Sequence, residues 1–356
     1  MKRKMDNYPC IVGRKIRIGI VGCGRISQNH FGSIEKHHAD MELVAICDTD
    51  TATLHAHAEK YVVPAYQDME EMLQKEQLDL VALCTPSGIH PDQAVLAARH
   101  KVHVMTEKPM ATRWNDGVRM VKACDDAGVR LFVVKQNRRN TTLQLLKRAV
   151  TEKRFGKIHM VHLNVFWTRP QAYYDQGNGW RGTWEFDGGA FMNQASHYVD
   201  LLDWLIGPVE KVQAMMSTAR DIEVEDTGVL NVKWRSGALG SMSVTMLTYP
   251  KNLEGSITIL GEKGTVRVGG VAVNDIQIWN FDEPKSYDQQ IHEANYETTS
   301  VYGFGHPLYY KNVIDVMRGD AEPETGGREG LKSLELLIAA YLSARDGKTV
   351  SLPLEY

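Results

Sequence analysis

Three polar side chains stand in sequence contexts that suit proton chemistry at a hydroxyl group. His197 lies in the run FDGGAFMNQASHYVD, and histidine titrates near neutral pH, so it can accept a proton from a hydroxyl group. Lys108 lies in the turn TEKPM, where an ammonium group can stabilise negative charge on the alcohol oxygen. Asn193 precedes His197 by four residues, which would place both on one helix face. Asn193 cannot ionise, so His197 or Lys108 must be the base, and we favour His197.

Each of these residues also has an ordinary structural interpretation. A helix histidine is often buried with its hydrogen bonds satisfied, and a lysine in a turn is usually a solvated surface charge. For the remaining histidines, including the pair His37 and His38, the structural interpretation stands. No group of residues has the spacing of metal ligands, so we predict no metal.

A glycine-rich turn follows the first apolar run, KIRIGIV, and has the features of a dinucleotide-binding fingerprint. Gly22 allows the tight turn, Gly24 lets a pyrophosphate approach the backbone, and Ser27 is small enough for the third position. Asp48 ends the next apolar run and can accept hydrogen bonds from ribose hydroxyls, so NAD is favoured over NADP. From this turn we expect cofactor contacts at Gly22, Cys23, Gly24, Arg25, Ile26 and Asp48.

Polar turns follow two further apolar runs, LDLVALC and VHVMT. Ligands of open α/β sheets bind outside the carboxyl ends of the strands, so these turns belong to the predicted cofactor site. The residues expected there are Thr85, Pro86, Ser87, His90, Glu107 and Lys108.

The elements that must hold these residues change character along the chain. Short apolar runs alternate with helix-like spacers over residues 14–137, which predicts a doubly wound parallel sheet, a Rossmann domain of the α/β class. Residues 138–356 contain longer strands that alternate polar with apolar residues, which predicts an α+β domain with a largely antiparallel open sheet. One helix is expected from about Gly189 to Leu205 and another from Gly330 to Arg345, while Asn274–Ser300 has no clear pattern.

Composition excludes several classes of protein. The 356 residues are 43% hydrophobic with a net charge of −3, which is typical of a globular chain and argues against nucleic-acid binding. The longest apolar stretch, from Ala195 to Val209, is interrupted by charged residues, so we expect no membrane span. The first ten residues are basic and lack the apolar core of a signal peptide, and the five cysteines form no CxxC pair, so a cytoplasmic protein with reduced thiols is expected.

The fingerprint, TPSGIHP at 85–91, TEKPM at 106–110 and FDGGAFMNQASHYVD at 186–200 together resemble the glucose-fructose oxidoreductase, inositol dehydrogenase and MocA (Gfo/Idh/MocA) superfamily. The resemblance implies an NAD-binding Rossmann domain and a catalytic centre made of the lysine of the EKP motif and an Asp/His pair. Lys108 and His197 match this centre, whereas Asn193 stands at the aspartate position. Asn193→Asp, which restores the family residue, is expected to keep substantial activity.

Further runs, such as VVKQNRRN at 133–140 and NVFWTRPQAYYD at 164–175, are similar to the bacterial UDP-N-acetylglucosaminuronate 3-dehydrogenases within this superfamily. The resemblance implies oxidation of a UDP-linked N-acetylated uronic acid at C3 by NAD, during lipopolysaccharide biosynthesis. A diphosphate and a uronate need local cations, which the arginines of these runs supply. The expected substrate contacts are Lys108, Asn137, Arg138, Arg169, Tyr174, Asn193 and His197, and further cofactor contacts are expected at Gln136, Trp180 and Arg181.

Two other functions fit the same motifs. A dehydrogenase of a free sugar or inositol would share the catalytic residues without needing the arginines, and an NAD-binding sensor would share the fold without catalysis. The sequence leaves open whether a 2-oxoacid co-substrate such as 2-oxoglutarate reoxidises NADH or NADH exchanges freely. The resemblance also implies a homo-oligomer, a tetramer or a dimer.

Overall fold

The computed structural model describes residues 8, 10–176, 179–298, 301 and 303–355, which fall into two compact units. Most of the amino-terminal stretch that we compared with a signal peptide lies outside the described residues. The first unit runs to Lys135 and also contains His306–Leu331, and the second contains Gln136–Gly305 and the residues from Lys332 onward. The first unit therefore includes His306–Leu331, which the sequence prediction placed in the second domain. The predicted domain bounds stay a prediction.

The first unit is built on a six-stranded sheet in the order β3-β2-β1-β4-β5-β6, and every neighbouring pair is parallel. Its central strands are buried on both faces, which is why runs such as Ile16–Val21 are continuously apolar. The strands are β1 (Ile16–Val21), β2 (Met41–Cys47), β3 (Ala65–Tyr66), β4 (Leu80–Leu83), β5 (His103–Thr106) and β6 (Leu131–Val133). The helices between them are α1 (Ser27–Lys36), α2 (Thr51–Tyr61), α3 (Met69–Lys75), α4 (His90–Arg99) and α5 (Trp114–Ala127).

The second unit is built on an eight-stranded sheet in the order β13-β12-β11-β7-β10-β9-β8-β14, with only β7 and β10 paired in parallel among the described strands. This confirms the predicted largely antiparallel sheet. Its strands are β7 (Ile158–Phe166), β8 (Val209–Ser217), β9 (Thr227–Trp234), β10 (Leu239–Thr245), β11 (Glu254–Gly261), β12 (Gly264–Gly269), β13 (Asp275–Phe281) and β14 (Val350–Ser351). Its helices include α6 (Thr141–Thr151), α7 (Gln171–Asp175), α8 (Ser196–Ile206) and α9 (Ile291–Ala294).

Helices cover one face of the eight-stranded sheet. The Trp234 indole donates to the carbonyl of Leu202 at 3.1 Å, which joins β9 to α8. The last two helices are α10 (Gly305–Arg318) and α11 (Gly327–Asp346). The backbone N–H of Ala214 in β8 donates to the Ser343 hydroxyl at 2.9 Å, which joins β8 to α11. The strands therefore alternate buried and solvent-facing residues, as the sequence pattern predicts.

Backbone hydrogen bonds hold His306–Leu331 in the first unit. Val133 of β6 donates its N–H to the carbonyl of Thr325 at 2.8 Å, and Ile11 donates to Met317 of α10 at 2.9 Å. These bonds link residues that are far apart in the chain, so no local pattern could have predicted them.

Two segments differ from the sequence prediction. The helix expected from Gly189 to Leu205 is instead a π-helical turn, Ala190–Gln194, followed by α8. The unassigned stretch after Asn274 contains the edge strand β13, a 3₁₀ turn at Ser286–Gln290 and the short α9. Among the described residues, none of the helices combines the length and hydropathy that crossing a membrane requires.

Candidate active site

The glycine turn after β1 is held against the backbone of the neighbouring strand β4. Gly22 has a φ of +90°, and a Cβ built on it would lie 2.8 Å from the carbonyl carbon of Cys84. Its N–H donates to the carbonyl of Cys47 at 2.8 Å. Glycine is therefore required here both by the left-handed backbone and by the close approach.

Asp48 supports this turn from the end of β2. Its carboxylate accepts the backbone N–H of Cys23 at 2.6 Å and that of Asp50 at 2.9 Å. The sequence prediction assigned Asp48 to a ribose and missed its hydrogen bond to the turn. Ser27 is fully buried and donates its hydroxyl to the carbonyl of Gly24 at 2.6 Å, so a small hydrogen-bonding residue satisfies the third position of the fingerprint.

The residues of this turn fit a dinucleotide. A Cβ on Gly24 would meet no described atom within 4 Å, and Gly24 and Arg25 are exposed, while Ile26 is half-buried at the start of α1. Exposed backbone beside a helix N-terminus suits a pyrophosphate, and a carboxylate at the end of the second strand suits ribose hydroxyls. Gly22, Gly24 and Asp48 could therefore hold a dinucleotide, and their predicted contacts with NAD stay a prediction.

The turn after β4 is tied to the turn after β5 by a buried histidine. The two ring nitrogens of His90 lie 2.9 Å from the carbonyl oxygen of Thr85 and 3.1 Å from that of Pro109. Burial lowers the pKa of His90. The Thr85 hydroxyl donates to the Gln93 amide at 2.6 Å, Pro86 is half-buried and Ser87 is buried. A neutral imidazole has one N–H, so His90 lies between the two strand-end turns and donates to one of these carbonyls at a time. Its predicted contact with the cofactor stays a prediction.

Glu107, which precedes Lys108, is the acceptor of a buried hydrogen-bond network. Its Oε1 lies 3.0 Å from Nε2 of His30 and 3.3 Å from Nε2 of His306, and its Oε2 accepts the backbone N–H of Lys108 at 3.2 Å. Burial by itself would raise the pKa of Glu107, but the hydrogen bonds from His30 and His306 outweigh it and hold that pKa well below its usual range. Nδ1 of His30 is bonded in turn to the Tyr310 hydroxyl at 2.8 Å.

This network fixes the turn that presents the half-buried Lys108. His30, Glu107 and His306 also lie close enough to one another to be ligands of one metal ion. Their separations are those of ordinary hydrogen bonds, and two N–H donors satisfy the carboxylate without an ion. The predicted absence of a metal therefore stays a prediction.

The segment that carries Asn193 and His197 is not one α-helix, so the predicted placement of both residues on one α-helical face is wrong. The N–H of Ala195 donates to the carbonyl of Ala190 at 2.8 Å, which is the five-residue step of a π-helix, and α8 begins only at Ser196. Glu225 caps the start of this turn: its carbonyl accepts the N–H of Ala190 and its Oε1 accepts the N–H of Phe191, each at 2.9 Å.

Glu225 occupies the space in front of this π-helical turn. A Cβ on Gly189 would overlap its carboxylate, and the Tyr341 hydroxyl donates to its Oε1 at 2.9 Å. Burial raises the pKa of Glu225 to about 7, so the carboxyl holds its proton far more readily than an exposed glutamate. Neither Glu225 nor Tyr341 belongs to a motif that sequence reasoning could use.

His197 is buried beside Gln136, which begins the 3₁₀ turn Gln136–Arg139. The Gln136 amide nitrogen lies 2.9 Å from Nε2 of His197. Sequence reasoning assigned Gln136 to the cofactor and missed this contact with the candidate base. Asn137 is buried as well, and among the described residues its side-chain oxygen has no hydrogen-bond partner.

The arginines expected to bind substrate differ in their surroundings. Arg138 is buried and forms a bidentate ion pair with Asp200, at 2.6 and 2.7 Å. Its guanidinium thus serves the structure of this unit, and its predicted contact with substrate stays a prediction. Arg169 donates to Gln194 of the π-helical turn at 3.0 Å, which ties it to the segment that carries Asn193.

The loop after α7 brings together the remaining predicted residues. Arg181 donates to the carbonyl of Tyr173 at 3.0 Å, and its guanidinium lies 4.6 Å from that ring and 5.2 Å from the ring of Trp180. Tyr174 is buried, which raises the pKa of its phenol. Trp180 and Arg181 are half-buried, whereas Tyr174 is buried and packs in the interior of the unit.

A parallel sheet with this glycine turn and an acidic residue just after the next strand defines a dinucleotide-binding domain. Two family models match the chain: the NAD-binding Rossmann fold of the oxidoreductase family over residues 16–135 and its C-terminal alpha/beta domain over residues 147–352. The chain belongs to the Gfo/Idh/MocA oxidoreductase family. The predicted family, the α/β fold class and NAD as cofactor are confirmed.

The chain is also similar to solved structures. It is 67% identical to the WlbA dehydrogenase of Chromobacterium violaceum, determined in complex with NADH and UDP-GlcNAcA, with a TM-score of 0.94 over 99% of this chain and 100% of that one. It is 65% identical to the WlbA dehydrogenase of Bordetella pertussis in complex with the same two ligands, with a TM-score of 0.95 and coverages of 97% and 100%. A D-apiose dehydrogenase of Paraburkholderia graminis is 27% identical, over 95% of this chain and 90% of its own length.

Asp48→Asn tests the predicted role of this carboxylate in choosing the cofactor. The amide can still accept the N–H of Cys23 but no longer repels a 2′-phosphate, so we expect weaker binding of NAD and less discrimination against NADP. Isothermal titration with both cofactors measures this. Asp50→Asn, two residues along, is the matched control and should leave the preference unchanged, because asparagine also caps α2. An unaltered preference in Asp48→Asn would contradict the prediction.

Gln136→Leu tests whether Gln136 positions His197 or binds the cofactor. Leucine has a similar size but cannot bond the imidazole, so we expect turnover to fall by about tenfold or more through misplacement of the base. The dissociation constant of NAD should stay nearly constant. If that constant rises while turnover at saturating NAD is normal, Gln136 acts on the cofactor as first predicted.

Proposed function

We propose that this chain oxidises the C3 hydroxyl of UDP-2-acetamido-2-deoxy-D-glucuronic acid (UDP-GlcNAcA) to a ketone with NAD, in the biosynthesis of 2,3-diacetamido-2,3-dideoxyuronic acids for lipopolysaccharide. The observation that carries the proposal is 65–67% identity, over almost the whole chain, to dehydrogenases determined with NADH and UDP-GlcNAcA. Relatives that act on free sugars or inositols have far lower identities, 27% and 26% in two cases.

The catalytic roles in this proposal fall on His197, Lys108 and Asn193. NAD, when bound, accepts the hydride from C3. His197 takes the hydroxyl proton, Lys108 donates a hydrogen bond to the same oxygen and stabilises its developing charge, and Asn193 orients the sugar. The burial of His197 supports its role, because a buried base is shielded from competing water.

The acidic and phosphate groups of the substrate need cations. Arg169 and Arg181 are only half-buried, and Arg169 is held beside the π-helical turn by Gln194. We assign the uronate or the diphosphate to these two arginines in preference to Arg138, because Asp200 already neutralises Arg138.

The exposed face of the eight-stranded sheet supports the proposal of a homo-oligomer. Strand register places its large apolar residues on one face, opposite the face that the helices cover. Exposed hydrophobic surface of this kind is typical of protein–protein interfaces. The residues concerned are Met160, Met215, Val229, Leu239 and Ile278.

All five cysteines are free thiols, which supports the proposed cytoplasmic location.

The substrate assignment predicts a strong preference for the uronic acid. Replacing UDP-GlcNAcA by UDP-N-acetylglucosamine removes the carboxylate and leaves an arginine without its charge partner, so kcat/KM should fall by at least about 10²-fold. NADH formation, followed by absorbance with each sugar nucleotide, measures the ratio. Equal turnover of both substrates would show that the enzyme does not select for the uronate carboxylate. NADH formation with inositol, and with neither sugar nucleotide, would favour the alternative of a free-sugar or inositol dehydrogenase.

The catalytic assignment predicts how turnover depends on pH. His197→Ala and Lys108→Ala should each lower kcat by at least about 10²-fold while NAD binding is retained. The wild-type profile should fall in acid as a histidine becomes protonated, and His197→Ala should lack this limb. His55→Ala, at an exposed position of α2, is the matched control and should behave as wild type. A His197→Ala variant that kept both the limb and near-normal turnover would transfer the base role to Lys108.

A further inference from the structure

Asn193 is held by a buried carboxylate six residues before it. Its amide nitrogen donates a short hydrogen bond to Oδ1 of Asp187, whose Oδ2 accepts the backbone N–H of Gly182 at 2.8 Å. Asp187 is 2% exposed and donates its own N–H to the carbonyl of Thr183 at 3.2 Å. One carboxylate thus joins the loop that carries Arg181 to the turn that carries Asn193.

An ionised carboxylate accepts hydrogen bonds and cannot donate them. The Asn193 amide must therefore turn its NH₂ toward Asp187 and its Oδ1 the other way. We propose that Asp187 is a positioning residue that fixes the orientation of the Asn193 amide, so that Asn193 presents a hydrogen-bond acceptor to the sugar. This inference rests on the proposed function, in which Asn193 orients the substrate.

The contact also explains why asparagine suits this chain at the position where the family resemblance implies aspartate. An aspartate at 193 would bring two carboxylates into contact in a partly buried place, and one of them would have to bind a proton. The sequence alone predicts substantial activity for Asn193→Asp. Contact with Asp187 changes that expectation: the variant should be active only where the pair shares a proton.

Exchanging the two residues keeps the hydrogen bond from Gly182 and reverses the one between positions 187 and 193. In the double variant Asp187→Asn/Asn193→Asp, the new amide oxygen at 187 can accept the N–H of Gly182 while its NH₂ donates to the new carboxylate at 193. Position 193 then presents an acceptor again. In Asp187→Asn alone, the amide at 193 must rotate to accept from the new NH₂, so it presents a donor to the sugar.

Other ionisable groups lie around this contact and must be separated from it. Glu225 and Tyr341 bond the backbone of the π-helical turn, and His197 lies in the first turn of α8. Arg169 bonds Gln194, and Tyr174 interacts electrostatically with Asp187. None of them changes in the exchange, so a pH effect that appears in Asn193→Asp and disappears in the double variant belongs to positions 187 and 193.

The experiment compares kcat, KM and their pH dependence for UDP-GlcNAcA oxidation by the wild type, the two single variants and the double variant, with NAD binding as the check on folding. We expect Asn193→Asp to lose at least about tenfold in kcat at neutral pH. Its deficit relative to the wild type at the same pH should shrink in more acidic solution, as the carboxyl pair takes up its proton. Asp187→Asn should mainly raise KM. The double variant should recover most of the lost activity and a pH profile like that of the wild type.

Two results would overturn the inference. One is an Asn193→Asp variant with wild-type kinetics and pH profile. The other is a double variant that binds NAD normally but is no more active than Asn193→Asp, which would make Asp187 a purely structural residue. A wild type that forms no NADH from UDP-GlcNAcA would instead refute the proposed function. The contact between 187 and 193 would still be tested in that case. Uptake of an extra proton on folding should make the melting temperature of Asn193→Asp depend more strongly on pH, and the double variant should lack this added dependence.

Discussion

A carboxylate that is buried away from water must find hydrogen-bond donors, and the candidate active site is built on this constraint. Glu107 collects donors from two histidines and from the backbone of Lys108. Asp187 collects them from Gly182 and Asn193, and Asp200 from Arg138. In each case a residue that the sequence marked as a candidate is hydrogen-bonded to a buried acid.

A further buried carboxyl holds the start of the segment that carries Asn193. Glu225 accepts two N–H groups, through its own carbonyl and its side chain, at the first two residues of the π-helical turn before α8. Gly189 is required beside it, because any side chain there would overlap the carboxylate. One Glu225 oxygen has no partner within the described part of the chain, consistent with a carboxyl whose pKa is raised to about 7 by burial.

The two sheets place these groups by different means. In the first unit, parallel strands end at a common edge, so the turns after β1, β4 and β5 are neighbours and His90 lies between two of them. In the second unit, α8 packs against the sheet, and side-chain hydrogen bonds position Asn193 and His197. The first arrangement follows from topology, and the second depends on individual long-range contacts.

The sequence by itself determined the fold class, the glycine turn with Asp48, and the identity of Lys108 and His197 as candidates. These depend on periodicity and on short motifs, where local backbone and side-chain chemistry suffice. Only the tertiary structure decided that Gln136 contacts His197, that Arg138 is neutralised by Asp200, that Asn193 and His197 do not share an α-helix, and that His306 joins Glu107. Those partners are brought together by packing of distant segments, and a hydrogen bond between distant residues leaves no periodic or local signal in the chain.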